Sequence, residues 1–132
     1  MPRPPANGAA QRRLGARAEA LAEELLVRKG AFVLARNFVG RRGELDLVVA
    51  LGDTVAVVEV RRRKGGVDDA LGSIPETKRR SVVRATREYV ERAGLHERPV
   101  RFDVVAVGPA RKGSPADVIH VEDAFDASGV DD

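Results

Sequence analysis

Residues Arg42 to Lys64 read RGELDLVVALGDTVAVVEVRRRK. Two apolar runs flank Gly52-Asp53, and a Gly-X pair in that setting marks a two-residue type II′ hairpin. The stretch is therefore read as two antiparallel strands whose register the turn sets. With Gly52 and Asp53 as the loop, Leu51 faces Thr54. Counting outward puts Asp46 opposite Glu59 and Glu44 opposite Arg61. By period-2 alternation, Leu45, Leu47 and Val49 share one face of the first strand, with Glu44, Asp46 and Val48 on the other. In the second strand, Val55, Val57, Glu59 and Arg61 share a face, opposite Ala56, Val58 and Val60.

Directly opposed carboxylates have Cβ atoms roughly 5 Å apart, and such a like-charge pair destabilises a sheet. A hard cation offsets the cost, because Mg²⁺ is typically held by one or two carboxylates together with waters and phosphate oxygens. Neutralisation by Arg61 and neighbouring cations is the alternative at this point. The run Val55 to Val58 marks the second strand as central and buried, which raises the cost of leaving the pair uncompensated.

The chain has 132 residues, one domain of ordinary size, and 43% hydrophobic content, which is globular. It contains no cysteine, so neither a disulfide framework nor a thiolate zinc site is available. No apolar run approaches membrane-spanning length. The N-terminal MPRPPANGAAQRR lacks the apolar core of a secretory signal. A cytoplasmic protein that does not contact the membrane is expected. The net charge is +3, and the acidic DASGVDD near the end hides a more basic body. That balance is compatible with a phosphate-backbone partner.

Outward from the hairpin, residues 1–10 are Pro-, Ala- and Gly-rich and are expected to be disordered. A helix is expected from about Gln11 to Lys29. Its apolar stripe is Leu14, Ala18, Leu21, Ala22 and Leu25, and Gly30 is its stop. Glu19 lies on the flank of that stripe beside Gly15 and Leu26. Ala31 to Asn37 is a strand with room to continue to Val39, and Gly40-Arg41-Arg42-Gly43 is a loop that brings basic charge to the hairpin. After Glu59 the chain turns basic at Arg61-Arg62-Arg63-Lys64, then reaches Gly65-Gly66. That exit reads either as a solvated strand end or as phosphate contact, glycines letting a backbone approach a ligand. Ser73 and Glu76 have capping-box spacing, which starts a helix running to about Ala93. Lys78, Arg79, Arg80, Arg84, Arg87 and Arg92 make that helix strongly basic, for nucleic-acid contact or for plain solvation.

Val100 to Val107 is a strand reached through a helix, so a parallel, right-handed crossover is expected. Val118 to Val121 is a short last strand at an edge, after which Ala124 and Phe125 tuck onto the core. Residues 126–132 form an acidic disordered tail. The order α-β-β-β-α-β-β over 11–125 describes a single α/β domain with a mixed sheet of about five strands flanked by helices.

Several chemistries are excluded. There is no G-x-x-x-x-G-K-[ST] or G-x-G-x-x-G phosphate loop, and no nucleophile elbow. His96 and His120, the only histidines, are too far apart in sequence to suggest a histidine metal site or an HNH-type nuclease.

The pattern Gly15…Glu19, Gly30, Asn37, Gly43-Glu44-Leu45-Asp46-Leu47, Val58-Glu59-Val60-Arg61, Lys78, Arg101-Phe102-Asp103-Val104 and His120…Ala124-Phe125 resembles the YraN-type family of uncharacterised bacterial proteins. That family is similar in fold to the restriction-endonuclease-like superfamily, which includes archaeal Holliday-junction resolvases and carries a PD-(D/E)-x-K site. The resemblance implies that Asp46 matches the first acidic position, Glu59 the second, and Glu19 the helical acidic residue that completes a Mg²⁺ or Mn²⁺ site. It places Lys78 at a basic position in the following helix.

One position departs from the family. Its E-V-K is E-V-R here, so Arg61 stands where the active-site lysine is expected. A lysine can lose its proton, whereas an arginine stays charged in proteins. Arg61 can hold a phosphate oxygen but cannot take a proton from water, so it enters the catalytic set with Asp46, Glu59 and Glu19 in a phosphate-steadying role.

The resemblance thus implies a metal-dependent endonuclease that hydrolyses phosphodiester bonds in DNA, branched DNA included. Arg61, Arg62, Arg63, Lys64, Lys78 and Arg79 would contact the nucleic acid, and the related resolvases' two-fold dimers leave a homodimer open. The alternative is a module that keeps the nuclease fold for nucleic-acid binding or protein interaction without catalysis. Aromatic content of 4% leaves little material for base stacking, so contact with backbone and shape is expected.

Overall fold

The Gly52-Asp53 turn forms as read. Gly52 takes φ 60 and Asp53 does not take a positive φ, the II′ pattern. The computed structural model describes residues 6–64, 67–72 and 74–130. Among them are helices α1 (Ala6–Arg28), α2 (Val67–Gly72) and α3 (Glu76–Ala93), and strands β1 (Phe32–Val39), β2 (Glu44–Leu51), β3 (Thr54–Arg62), β4 (Val100–Val107) and β5 (Val118–Phe125). The strands form one mixed sheet in the order β1-β2-β3-β4-β5. Every neighbouring pair is antiparallel except β3–β4, which is parallel, as the intervening helix requires. The expected mixed α/β architecture is the observed one.

Two apolar layers hold the sheet between helices. On one face Ala18, Ala22 and Leu26 of α1 pack on Leu47, Val49, Ala56, Val58, Val105 and Val107. On the other, Val82, Val83 and Ala85 of α3 pack on Leu45, Val48, Val55, Val57 and Phe102. β3 is sealed on both faces, with Val55 to Val58 at most 1% exposed. Its central position follows from that continuous apolar run.

Several expectations need correction. Residues 6–10, expected to be disordered, belong to α1. The buried ridge of α1 is the i, i+4 series Ala18–Ala22–Leu26, whereas Leu14 is half exposed. Leu26, read as a flank residue, is core. The short α2 was not foreseen. Ser73 lies outside the described residues, as do Gly65 and Gly66. α3 starts at Glu76 with Pro75 in the cap position and no side-chain cap. Glu76 accepts a hydrogen bond from Arg80 at 2.9 Å rather than reaching back. β5 runs to Phe125, whose ring stacks on Phe102 with centroids 5.2 Å apart. Beyond it Ala127 and Val130 pack on the α3-side core, and the Val130 carbonyl accepts from Arg87 at 2.9 Å, so residues 126–130 are fastened to the domain.

Candidate active site at the fork between β2 and β3

The hairpin register holds from Leu51↔Thr54 to Leu47↔Val58 and then the ladder stops. Beyond that point β2 stays with β1 through Phe38↔Leu45 and Val39↔Glu44. β3 stays with β4 through Glu59↔Val104 to Arg62↔Val107. The sheet therefore forks one residue before the expected Asp46–Glu59 pair. Asn37, which lies between the Arg36↔Leu47 and Phe38↔Leu45 pairs, takes φ 50, a left-handed conformation that asparagine tolerates. The alternation of β2 breaks at the same level. Leu45 and Val48 face α3, while Leu47 faces α1. The expected sharing of one face by Leu45 and Leu47 fails there.

Asp46 fills the fork. Its Oδ2 accepts a hydrogen bond from the Val60 amide at 2.9 Å, replacing the backbone partner that β2 withdraws. That bond holds the carboxylate near the plane of the sheet, within reach of groups on both faces. Glu59 comes from the α3 face, in phase with Val55 and Val57, and is 1% exposed. Burial and then the Asp46 charge push its carboxyl from 4.5 up to about 7, against the opposing pull of Lys78 and Arg61. The contact with Asp46 also favours the protonated form of Glu59. Lys78 of α3 places Nζ 3.7 Å from Glu59 Oε2. Among the described residues nothing donates a hydrogen bond to the buried Glu59 Oε1.

Glu19 approaches from α1, on the opposite side of the sheet. Its carboxyl is raised by burial and by Asp46, and lowered by a hydrogen bond from Asn37. Asp46 is thus the neighbour that Glu19 and Glu59 share. Because the two glutamates reach it from different faces, the three form no ready-made cage. Among the described residues no group of three or more His, Asp or Glu side chains is gathered closely enough to hold a metal ion. The donors are nonetheless hard oxygens, one buried and unsatisfied, which is the chemistry that Mg²⁺ and Mn²⁺ prefer.

The basic residues divide. Arg61 is half-buried and its charge acts on Glu59. Glu44 is exposed opposite Val39 rather than opposite Arg61, because β2 has left β3 by that point. Arg62 and Lys64 are exposed at the strand exit, and Arg63 lies 4.0 Å from Asp69. Lys78 faces the carboxylates. Arg79 instead borders a cavity with Ile74 and Phe125 and acts on Asp126. Other α3 cations are engaged within the molecule, Arg80 with Glu76 and Arg92 with Glu88. The loop carrying Arg41 and Arg42 is pinned to α3 at this end of the sheet. The Arg41 amide donates to Glu88 at 2.8 Å, and Ser81 Oγ donates to the Arg42 carbonyl at 3.0 Å.

Residues 18–107, most of the chain, match the model of the uncharacterised protein family UPF0102. The chain belongs to the UPF0102 family. It is 42% identical over 115 residues to a UPF0102 protein of Pseudomonas paraeruginosa, covering 86% of this chain and 92% of the relative. A UPF0102 protein of Pseudomonas aeruginosa is 43% identical over the same shares. One from Methylobacillus flagellatus is 37% identical over 117 residues, 88% of this chain and 99% of its own. The UPF0102 match spans α1 from Ala18 through the end of β4, and so contains Glu19, Asn37, Asp46, Glu59, Arg61 and Lys78. Among the described residues of this UPF0102 chain, no helix is long and apolar enough to cross a membrane.

Asn37 is a site residue that the sequence reading did not assign. An asparagine three residues before a Gly-Arg-Arg-Gly loop was the available signal, since asparagine tolerates left-handed backbone.

Proposed function

We propose that this protein is a metal-dependent nuclease that hydrolyses phosphodiester bonds in nucleic acid, with DNA as the first substrate class to test. One observation carries the reading: the Asp46–Glu59 pair at the fork, where a fully buried glutamate with an unsatisfied oxygen is set against a second carboxylate. Burying Glu59 beside a second carboxylate costs folding free energy that the Asp46–Val60 hydrogen bond does not require, and strongly perturbed carboxyls cluster at functional sites. The resemblance to restriction-endonuclease-like proteins points the same way.

Asp46 and Glu59 would hold Mg²⁺ or Mn²⁺, with Glu19 joining through its approach to Asp46. The ion when bound supplies Lewis acidity toward a phosphate oxygen and makes an adjacent water more acidic. Lys78 balances the charge of Glu59 and keeps it ionised more readily than burial alone would allow. Arg61 steadies a phosphate oxygen with its guanidinium. The Val60 amide fixes the orientation of Asp46.

Arg61 in the place of lysine favours a second reading, a nucleic-acid-binding module without catalysis. Incubation of labelled branched and duplex DNA with millimolar Mn²⁺ separates the two. Nicking by the wild type and none by Glu59→Gln supports the nuclease. Intact DNA with the wild type, alongside retained DNA binding, supports the module.

A further inference from the structure

The carboxyl ends of the parallel strands β3 and β4 open into a cavity of about 290 Å³ that is separate from the fork. Arg63 and Lys64 line this cavity from the exit of β3, and Arg111, Ser114 and Asp117 line it from the β4–β5 connection. Three cations against Asp117, with Asp69 4.0 Å from Arg63, still leave the lining positive by one.

Arg111 is held in place by its backbone. Its amide donates to the Ser114 carbonyl at 3.1 Å, and the Ser114 amide donates back at 2.9 Å. Gly113, φ 79, closes the tight turn between them. The base of the connection is tied by the Gly108 amide donating to the Asp117 carbonyl at 2.8 Å, and the exit of β3 by the Arg63 amide donating to Val107 at 3.0 Å. Among the described residues the Lys64 and Arg111 side chains have no ion-pair partner. Two segments thus present like charges to one space, Arg111 from a closed turn and Lys64 next to the tied Arg63, an arrangement that an anion stabilises.

We propose that this basin is a phosphate subsite in which Lys64 and Arg111, with Arg63 beside them, hold a phosphate of a nucleic-acid strand while the strand passes the fork. The proposal rests on the reading that the partner is nucleic acid, but it does not require cleavage. From Glu59 to Arg63 is four strand residues, roughly 13 Å, so the phosphate held here is not the one beside Asp46. The chemistry is that of a phosphate oxyanion, from either an internal diester or a terminal monoester.

The test uses the full chain in metal-free buffer. Fluorescein-labelled oligonucleotides, with or without a 5′-phosphate, are titrated by anisotropy across a salt series. The variants are Lys64→Ala/Arg111→Ala and, as a charge-matched control, Arg28→Ala/Arg98→Ala, both of whose residues are exposed; Arg98 lies at the opposite end of the sheet beside Asp53. The basin variant is expected to flatten the slope of log K against log salt by about two, with the control changing it far less. An equal loss for both oligonucleotides assigns an internal phosphate, and a loss only with the 5′-phosphate assigns a strand end. A basin variant that behaves like the control overturns the proposal, as does a wild type that binds neither oligonucleotide. Basin-dependent binding without any Mn²⁺-dependent cleavage keeps the subsite and removes the nuclease reading.

Discussion

Asp46 Oδ2 accepts the Val60 amide at 2.9 Å where β2 and β3 part, so a catalytic candidate doubles as a backbone substitute. The two roles can be separated. Asp46→Asn keeps an acceptor oxygen for Val60 but removes the charge that raises Glu59. Asp46→Ala leaves the amide without its partner. The Ala variant is expected to be less stable than the Asn variant by about 1–2 kcal/mol, measured as a shift in urea midpoint at constant m-value.

Glu59 makes stability fall as pH rises. Its carboxyl titrates at about 7 in the folded protein against an ordinary 4.5, so between these values the native state binds a proton that the unfolded chain has lost. The contribution is complete below pH 4.5 and disappears as pH rises through 7, a loss of roughly 3 kcal/mol. Urea melts from pH 4.5 to 8 are expected to show it in the wild type and not in Glu59→Gln.

Asp103 has the opposite sign. It is fully buried, and Arg101 donates to it twice at 2.8 Å, His120 Nε2 lies at 2.7 Å, and the Asp123 amide donates at 2.9 Å. Burial raises its carboxyl, but the His120 and Arg101 bonds outweigh that and hold it at about 2, below the ordinary 3.8. Its contribution is present above pH 3.8 and is lost as pH falls through 2, about 2 kcal/mol. Asp103→Ala leaves Arg101 and His120 facing an empty acceptor and is expected to cost about 3–5 kcal/mol at pH 7, read from thermal and urea unfolding.

Gly43 tests the loop that carries Arg41 and Arg42. A Cβ there would meet Ser81 Oγ and would come 2.6 Å from the Ser81 carbonyl of α3, which is backbone and cannot swing away. Gly43→Ala is expected to destabilise by about 1–3 kcal/mol. It should also loosen the loop, seen as faster hydrogen exchange at the Arg41 amide, which is bonded to Glu88.

The sequence was informative where a local rule acts alone. Gly52-Asp53 sets the β2–β3 register because a two-residue turn leaves no slack, and Val55 to Val58 mark the central strand because only a strand covered on both faces is apolar without interruption. Reading failed where two segments act together. The ladder stops short of Asp46 at the level where Asn37, on another strand, takes a left-handed conformation, and no β2 residue signals that. α2 is too short for a helical period to show, and Pro75 rather than Ser73 precedes α3. Asp103 could have been found. By strand parity it shares the inward face of Val105 and Val107, with Arg101 two residues before it, so a buried and paired aspartate was available from the pattern.

Calorimetric titration of Mn²⁺ at pH 8, where Glu59 is largely ionised, tests the claim about the fork most directly. The wild type is expected to bind Mn²⁺ in the millimolar range or tighter, and Asp46→Asn, which keeps the Val60 hydrogen bond and the fold, is expected to lose that binding. Equal binding by both proteins, or none by the wild type, would contradict a metal site at Asp46 and Glu59.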